Sequence, residues 1–306
     1  GRGNNKFISI GFVNIVIAAN AGGAFSPFGD ITTLMVWQTG IVEFWTFFNL
    51  FIPSVVNYII PATIMSFAVS RDIPAVDMEE VVHMERGAKR IIILFGLTIL
   101  TAVSFHSFLH IPPFFGMMVG LAYLKLFGHY LRKTHESYHS KMPGENMGIG
   151  EIGDKRQFDS FREIARAEWD TLLFFFGVIM CVGGLGFIGY LELASTLMYV
   201  EMGPTFANIM VGFLSAIVDN IPVMVAVLQM DLTMDTQQWL LVTLTAGVGG
   251  SMLSIGSAAG IALMGQSQGK YTFFGHLKWT PVIALGYGAS IWVHLWLNDR
   301  FVGVMP

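Results

Sequence analysis

Asn20-Ala-Gly-Gly-Ala-Phe-Ser-Pro-Phe-Gly-Asp-Ile-Thr-Thr33 is the stretch on which the fold turns. It sets three glycines, a proline, a carboxylate and several hydroxyls into a run otherwise apolar enough to cross a membrane, with Phe7–Ala24 leading in and Trp37 closing it. Pro27 has no N–H to give, and Gly22, Gly23 and Gly29 tolerate positive φ, so the helix is expected to unwind here. Unwound backbone at membrane depth survives only where protein buries it or where it lines a polar cavity. The freed carbonyls, the Asn20 amide oxygen, the Thr32 and Thr33 hydroxyls and the Asp30 carboxylate are hard oxygen ligands suited to an alkali cation. An Asp within the membrane is costly enough to point to function. The competing reading is a loop at the membrane surface in which Asp30 only caps a helix.

The rest of the chain supports the membrane setting. Of 306 residues, 54% are hydrophobic and 12% charged, with a mean hydropathy of +0.61, against about 25% charged in ordinary soluble domains. Six or more stretches reach the roughly 18 residues needed to cross a hydrocarbon core. Runs such as Leu172–Gly189 do not alternate apolar with polar, which excludes a β-barrel. The fold class expected is therefore an all-α integral membrane protein, a transmembrane helix bundle. The net charge of −4, with basic residues clustered in loops rather than along one face, gives nothing that points to nucleic acid. The single Cys181, read as a small packing residue, excludes intrachain disulfides and cysteine-rich metal sites.

Charge distribution sets the topology. The linkers Ser70–Arg90 and Arg132–Asp170 hold most of the Lys and Arg and are expected in the cytoplasm; Lys155–Ala167 is either a surface helix or a solvated connector. Leu191–Gly203 has no Lys or Arg and is expected outside. If Thr205–Met230 crossed fully, the loop Gln266–Thr280, with Lys270 and Lys278, would face outside; if it enters and returns, that loop falls inside, so a re-entrant hairpin is preferred. The expected organisation is a first discontinuous helix (1–42), three transmembrane helices (43–131), a cytoplasmic linker (132–170), and a transmembrane helix with an external segment (171–203). The hairpin and a second discontinuous helix (204–265), then a cytoplasmic loop and last helix (266–306), complete it.

The second polar constellation lies in the hairpin and the apolar segment after it. Ser215-Ala-Ile-Val-Asp-Asn-Ile-Pro222 puts Asp219 and Asn220 at the hairpin tip, where Asp219 is expected to cap the returning half-helix. Gly247-Val-Gly-Gly-Ser-Met-Leu-Ser-Ile-Gly-Ser-Ala-Ala-Gly260 reads as the second broken helix, with Ser251, Ser254 and Ser257 at helical spacing. For Ser251, tight helix packing explains the small side chain equally well. Gly-Gly-Ala-Phe-Ser-Pro-Phe-Gly (22–29) aligns with Gly-Gly-Ser-Met-Leu-Ser-Ile-Gly (249–256), which suggests an inverted-repeat architecture with a site at the membrane midplane. The hairpin has no counterpart before Asn4, and the first residue is Gly1, so an upstream part of the natural protein is expected to be missing.

Asn20–Asp30, Ala167-Glu-Trp-Asp-Thr-Leu-Leu-Phe-Phe, Val218-Asp-Asn-Ile-Pro-Val-Met and Ala246-Gly-Val-Gly-Gly-Ser, in that order, resemble the NhaD-type sodium/proton antiporters of the ion-transporter superfamily. The resemblance implies exchange of Na⁺ or Li⁺ for H⁺ across a bacterial inner membrane, a homodimer among membrane lipids, and an elevator-like movement of a transport domain. It also includes Glu168 and Asp170, which offer an access point for ions, with helix capping as the alternative.

Exchange has a simple physical basis. Burial disfavours an ionised carboxylate and a bound cation favours it, so proton and Na⁺ compete for the same oxygens. Asp30 and Asp219 are the expected competing pair. Asn20, Thr32, Thr33, Ser215, Asn220, Ser254 and Ser257 are the expected neutral ligands or orienting groups. No cofactor is expected, only the transported ions. His106 and His110, four apart in one apolar run, lack a carboxylate partner nearby for metal binding. A dicarboxylate or oxyanion carrier on the same scaffold is the alternative function, but the breaks contain no Arg, Lys or His. An intramembrane aspartic protease is disfavoured because both Asp residues sit in helix breaks.

Overall fold

Apolar runs without water must pair their backbone groups internally, and helices do this within one segment. In the computed structural model, which describes residues 5–69, 87–139 and 169–301, the helices in chain order are α1 (Asn5–Gly23), α2 (Ile31–Gln38), α3 (Phe51–Ser66), α4 (Ala88–Leu109), α5 (Pro113–His139), α6 (Trp169–Phe187) and α7 (Tyr190–Ser195). They continue with α8 (Pro204–Ile217), α9 (Asn220–Gln229), α10 (Thr236–Gly249), α11 (Ala258–Gln266), α12 (Phe273–Leu277) and α13 (Thr280–Phe301). A 3₁₀ turn over Phe44–Leu50 leads into α3, and a π-helical turn over Thr196–Glu201 follows α7. No strand occurs among the described residues. Among the described residues, five helices are long and apolar enough to cross a membrane, or six if α6 and the segment Tyr190–Glu201 count as one bent span. The chain is thus an all-α, multi-pass membrane helix bundle, as composition and run length predict. The linker tract 140–168, including Lys155–Ala167, and most of Ser70–Arg90 lie outside the described residues.

Several local expectations change. Leu191–Gly203, read as an external segment, is itself largely helical and turns 81° from α6, with Gly189 at φ +87 making the corner. His110 is the left-handed C-cap of α4 (φ 52), so its helical register with His106 is lost. No cluster of three or more His, Cys, Asp or Glu able to hold a metal occurs among the described residues. Cys181 faces outward rather than into packing.

The described residues form two units. In one, α4 and α5 pack through small residues: a Cβ added to Gly116 would lie 2.7 Å from the Ala102 nitrogen, and one on Gly120 would strike Thr98. Close approach of this kind is how membrane helices gain dispersion energy without a hydrophobic drive between them.

The other unit is built around α10, which is buried on every side from Trp239 to Gly249. An apolar sequence with no polar face suits that central position. α8, α13, α1, α9 and α2 pack against it, and α3 lies along α13 and α1. Hydrogen bonds fix the register between these helices: Asn208 Nδ2 donates to the Gln238 carbonyl (3.0 Å) and Oε1 (2.9 Å). Thr245 Oγ1 donates back to the Asn208 carbonyl at 2.8 Å, and the Tyr287 hydroxyl donates to the Ile209 carbonyl at 2.7 Å. Large apolar side chains such as Phe176, Phe187 and Trp292 point outward, as a lipid-facing surface requires.

Candidate ion site

The first break is narrower than the sequence suggests. α1 stays helical through Gly23, α2 begins at Ile31, and residues 24–30 are unwound. Its glycines do not serve by adopting positive φ; none of Gly22, Gly23 and Gly29 does so. Gly23 and Gly29 instead allow the chain to cross itself: a Cβ on Gly23 would lie 2.9 Å from the Gly29 carbonyl oxygen, and one on Gly29 only 2.8 Å from the Gly23 Cα. The outer side of the break is covered by rings, with Phe25 against Phe51 (5.1 Å between centroids) and Phe28 against Trp37 (5.3 Å). This apolar cover keeps the open backbone away from lipid and bulk water.

Asp30 closes the break. Its Oδ1 accepts from the Ile31 N–H at 2.7 Å, and the Thr33 hydroxyl accepts from the Asp30 N–H at 3.3 Å, so Asp30 is the N-cap of α2. Its second oxygen, Oδ2, accepts from the Thr32 hydroxyl at 2.9 Å and from Asn220 Nδ2 at 2.8 Å. Asp30 thus caps α2 through one oxygen while the other faces Thr32 and Asn220. Thr33 is committed to backbone, donating to the Ser26 (2.8 Å) and Asp30 (2.7 Å) carbonyls.

The Asn220–Asp30 bond brings the tip between α8 and α9 to the first break. Asp219 stands at the N-cap position of α9 but makes no capping hydrogen bond. The expected capping hydrogen bond is therefore not formed, and Asp219 Oδ1 is buried with no hydrogen-bond partner among the described residues. Ser215, two residues before the end of α8, donates to the Ala246 carbonyl of α10 at 2.7 Å.

The second break, residues 250–257, repeats the first. A Cβ on Gly250 would strike the Gly256 carbonyl, as one on Gly23 would crowd that of Gly29, and Ser257 caps α11 from extended backbone as Asp30 caps α2. The pairs Gly23 and Gly250, Gly29 and Gly256, and Asp30 and Ser257 all share one offset along the chain. The two breaks also meet: Asn20 Nδ2 donates to Ser257 Oγ at 3.0 Å, and Gly247, which the same offset pairs with Asn20, borders Asp30, an added Cβ lying 3.8 Å from Oδ2. Ser254 is fully buried, and its Oγ has no hydrogen-bond partner.

Direct bonds therefore join Asn20 with Ser257, and Asp30 with Thr32 and Asn220, while Asp219 adjoins Asn220. Thr33 and Ser215 bond to backbone at the edges of the breaks, and Ser254 lies within the second break without a bond to the other candidates. Glu168 and the side chain of Asp170 lie outside the described residues.

One contact escaped the sequence reading. His276, in the short helix α12, is fully buried; its Nε2 donates to the Ser251 carbonyl (2.9 Å) and its Nδ1 accepts from the Tyr271 hydroxyl (2.7 Å). A carbonyl only accepts, so Nε2 carries a proton, and in the neutral ring Nδ1 is then the acceptor for the tyrosine hydroxyl. Thr280 Oγ1 holds the next carbonyl, that of Met252, at 2.7 Å. Burial pushes the His276 pKa down from its usual 6.5. The folded protein resists protonation there while the unfolded chain accepts it, so this contribution to stability is complete above about pH 6.5 and falls as pH drops below it. His276→Gln is expected to flatten the loss of melting temperature between pH 8 and pH 5; an unchanged slope would refute the assignment.

An all-helical membrane bundle whose two broken helices meet at buried polar groups is the framework of a membrane transport protein, and a family model described as citrate transporter matches residues 4–247. More narrowly, the chain belongs to the family of the NhaD antiporters. The Na(+)/H(+) antiporter NhaD of Vibrio cholerae is 59% identical over 306 residues, covering 98% of this chain and 64% of its own length. That of Vibrio parahaemolyticus is 61% identical over 290 residues, covering 93% and 70%. Sodium/proton antiporter 1 of Arabidopsis thaliana is 34% identical over 295 residues, covering 93% of this chain and 48% of its own. The chain thus spans less than two thirds of the Vibrio cholerae relative. No solved structure matches it.

Proposed function

We propose that the protein exchanges Na⁺ or Li⁺ for H⁺ across a bacterial inner membrane, with Asp30 and Asp219 as the carboxylates for which cation and proton compete. The observation that carries this reading is the Asn220 Nδ2 to Asp30 Oδ2 bond, which joins the hairpin tip to the first break across 190 residues of sequence. It supports a single site with two carboxylates on separately hinged elements. Each carboxylate is a base when the site takes a proton and a hard ligand when it takes a cation. Asn20, Thr32, Ser254 and Ser257 supply neutral oxygens or orient the carboxylates, and Thr33 and Ser215 hold the backbone that frames them. Glu168 and Asp170 serve as an access point for ions. The protein works as a transporter without a cofactor rather than as an enzyme, and as a homodimer in the lipid.

The description of the family as citrate transporter favours an anion carrier as the second reading. Against it, no Arg, Lys or His is among the side chains bonded to Asp30, Asn220 or Ser257, and two carboxylates would repel an anionic substrate. Proton flux in everted vesicles distinguishes the two. Adding Na⁺ or Li⁺ to vesicles that hold the whole protein is expected to release a pre-formed proton gradient. No response to either cation, with a response to a tricarboxylate, would establish the anion carrier instead.

A further inference from the structure

The buried face of α3 is interrupted by two polar residues that the ion site does not use. Ser54 and Asn57, one turn apart, are 1% and 0% exposed. Ser54 Oγ, Asn57 Nδ2 and Asn57 Oδ1 have no hydrogen-bond partner among the described residues. Pro61, inside the same helix, removes a further bond, because it has no N–H to offer the Asn57 carbonyl four residues before it. That carbonyl faces α13 at Gly286, where an added Cβ would lie 2.6 Å from it.

A buried amide with neither half paired is costly enough that native proteins almost always satisfy it. The donor set decides what satisfies this one. Asn57 offers N–H groups that need an acceptor and oxygens that need a donor. A cation answers only the oxygens, and an anion only the N–H groups. Water answers both, and buried waters characteristically make two to four such bonds. We propose that Ser54 and Asn57 hold a buried water on the face of α3 that meets α13, where it also completes the carbonyl freed by Pro61. The assignment is independent of the transport reading, since none of the polar atoms named is a carboxylate. It gives Gly286 a reason as well, because a side chain there would press on that carbonyl.

Two measurements on the whole protein in lipid nanodiscs test this. A structure at a resolution that shows waters is expected to place a density peak within hydrogen-bond reach of the Asn57 amide and Ser54 Oγ. Thermal melts are expected to show Asn57→Leu and the milder Ser54→Ala both lowering the melting temperature, because each strips the water of a partner. Absence of the peak overturns the proposal, as does a higher melting temperature in either variant, which would mean the polar groups were dry and better removed. A Na⁺-dependent rise in melting temperature that Ser54→Ala abolishes would identify a cation in place of water and also overturn it.

Discussion

Asp219→Asn is expected to abolish Na⁺-driven proton flux, by more than about a hundredfold, while leaving the melting temperature close to that of the unaltered protein. The two outcomes separate because Asp219 Oδ1 makes no hydrogen bond among the described residues. An amide of nearly the same shape removes the titrating group and still offers an oxygen to the backbone N–H of Asn220. Asp30→Asn is expected to silence flux as well, but with a cost in stability. Asn is as good an N-cap as Asp, so its oxygen keeps the bond from the Ile31 N–H. Its amide nitrogen then confronts Asn220 Nδ2, and a buried donor left unpaired costs about 1–3 kcal/mol. Competition between proton and cation further implies that the half-saturating Na⁺ concentration rises about tenfold for each pH unit below the carboxyl pKa. Flux in either variant at the level of the unaltered protein, or a half-saturating Na⁺ that ignores pH, would sink the competing-carboxylate mechanism.

The second large effect lies in the glycines. Gly29→Ala puts a methyl group 2.8 Å from the Gly23 Cα, and Gly256→Ala puts one 2.6 and 2.7 Å from the Ala216 and Ser215 carbonyl oxygens. All these neighbours are backbone and cannot swing aside. Overpacking of this kind costs about 1–3 kcal/mol, and here it would also displace the helix start that carries Asp30 or Ser257. Gly22→Ala is the control with the opposite sign. Nothing lies within 4 Å of its Cβ position, and it sits in α1, where Ala is favoured over Gly by up to about 1 kcal/mol. Melting temperature and Na⁺-driven flux are both expected to fall for Gly29→Ala and Gly256→Ala, whereas the melting temperature of Gly22→Ala is expected to hold or rise. Three indistinguishable melts would show that the breaks do not depend on close crossing.

Both helix breaks and the interruption between α8 and α9 were legible in the sequence, because glycine, proline and carboxylate inside an apolar run have few readings at membrane depth. The use of the glycines was not. Positive φ and close approach leave the same residue in the sequence, and only the crossing of residues 23 and 29 tells them apart. The Asn220–Asp30 bond was also out of reach, since no periodicity links side chains 190 residues apart. His276 carried no signal, standing beside Lys270 and Lys278 in a stretch that reads as a solvated loop; its place is set by the Ser251 carbonyl that the second break exposes. Asn57 did carry one, an amide in an apolar run four residues before a proline, but without knowledge of its burial that pattern does not separate a kink from a surface position.

Among the described residues, three helices end at the breaks that frame the proposed site, α1, α8 and α10, and three begin there, α2, α9 and α11. Each end carries roughly half an elementary charge from its aligned peptide dipoles, negative where a helix stops and positive where one starts. In equal numbers these contributions cancel to first order, so the framework is electrically close to neutral and the charge of the site resides in its two carboxylates. Under the proposed function, every proton or monovalent ion that arrives would then change the local charge by a full unit against a level background. Neither partner of the proposed exchange would be favoured by the scaffold itself, and the contest between them would be left to ligand geometry and to the concentrations on each side of the membrane.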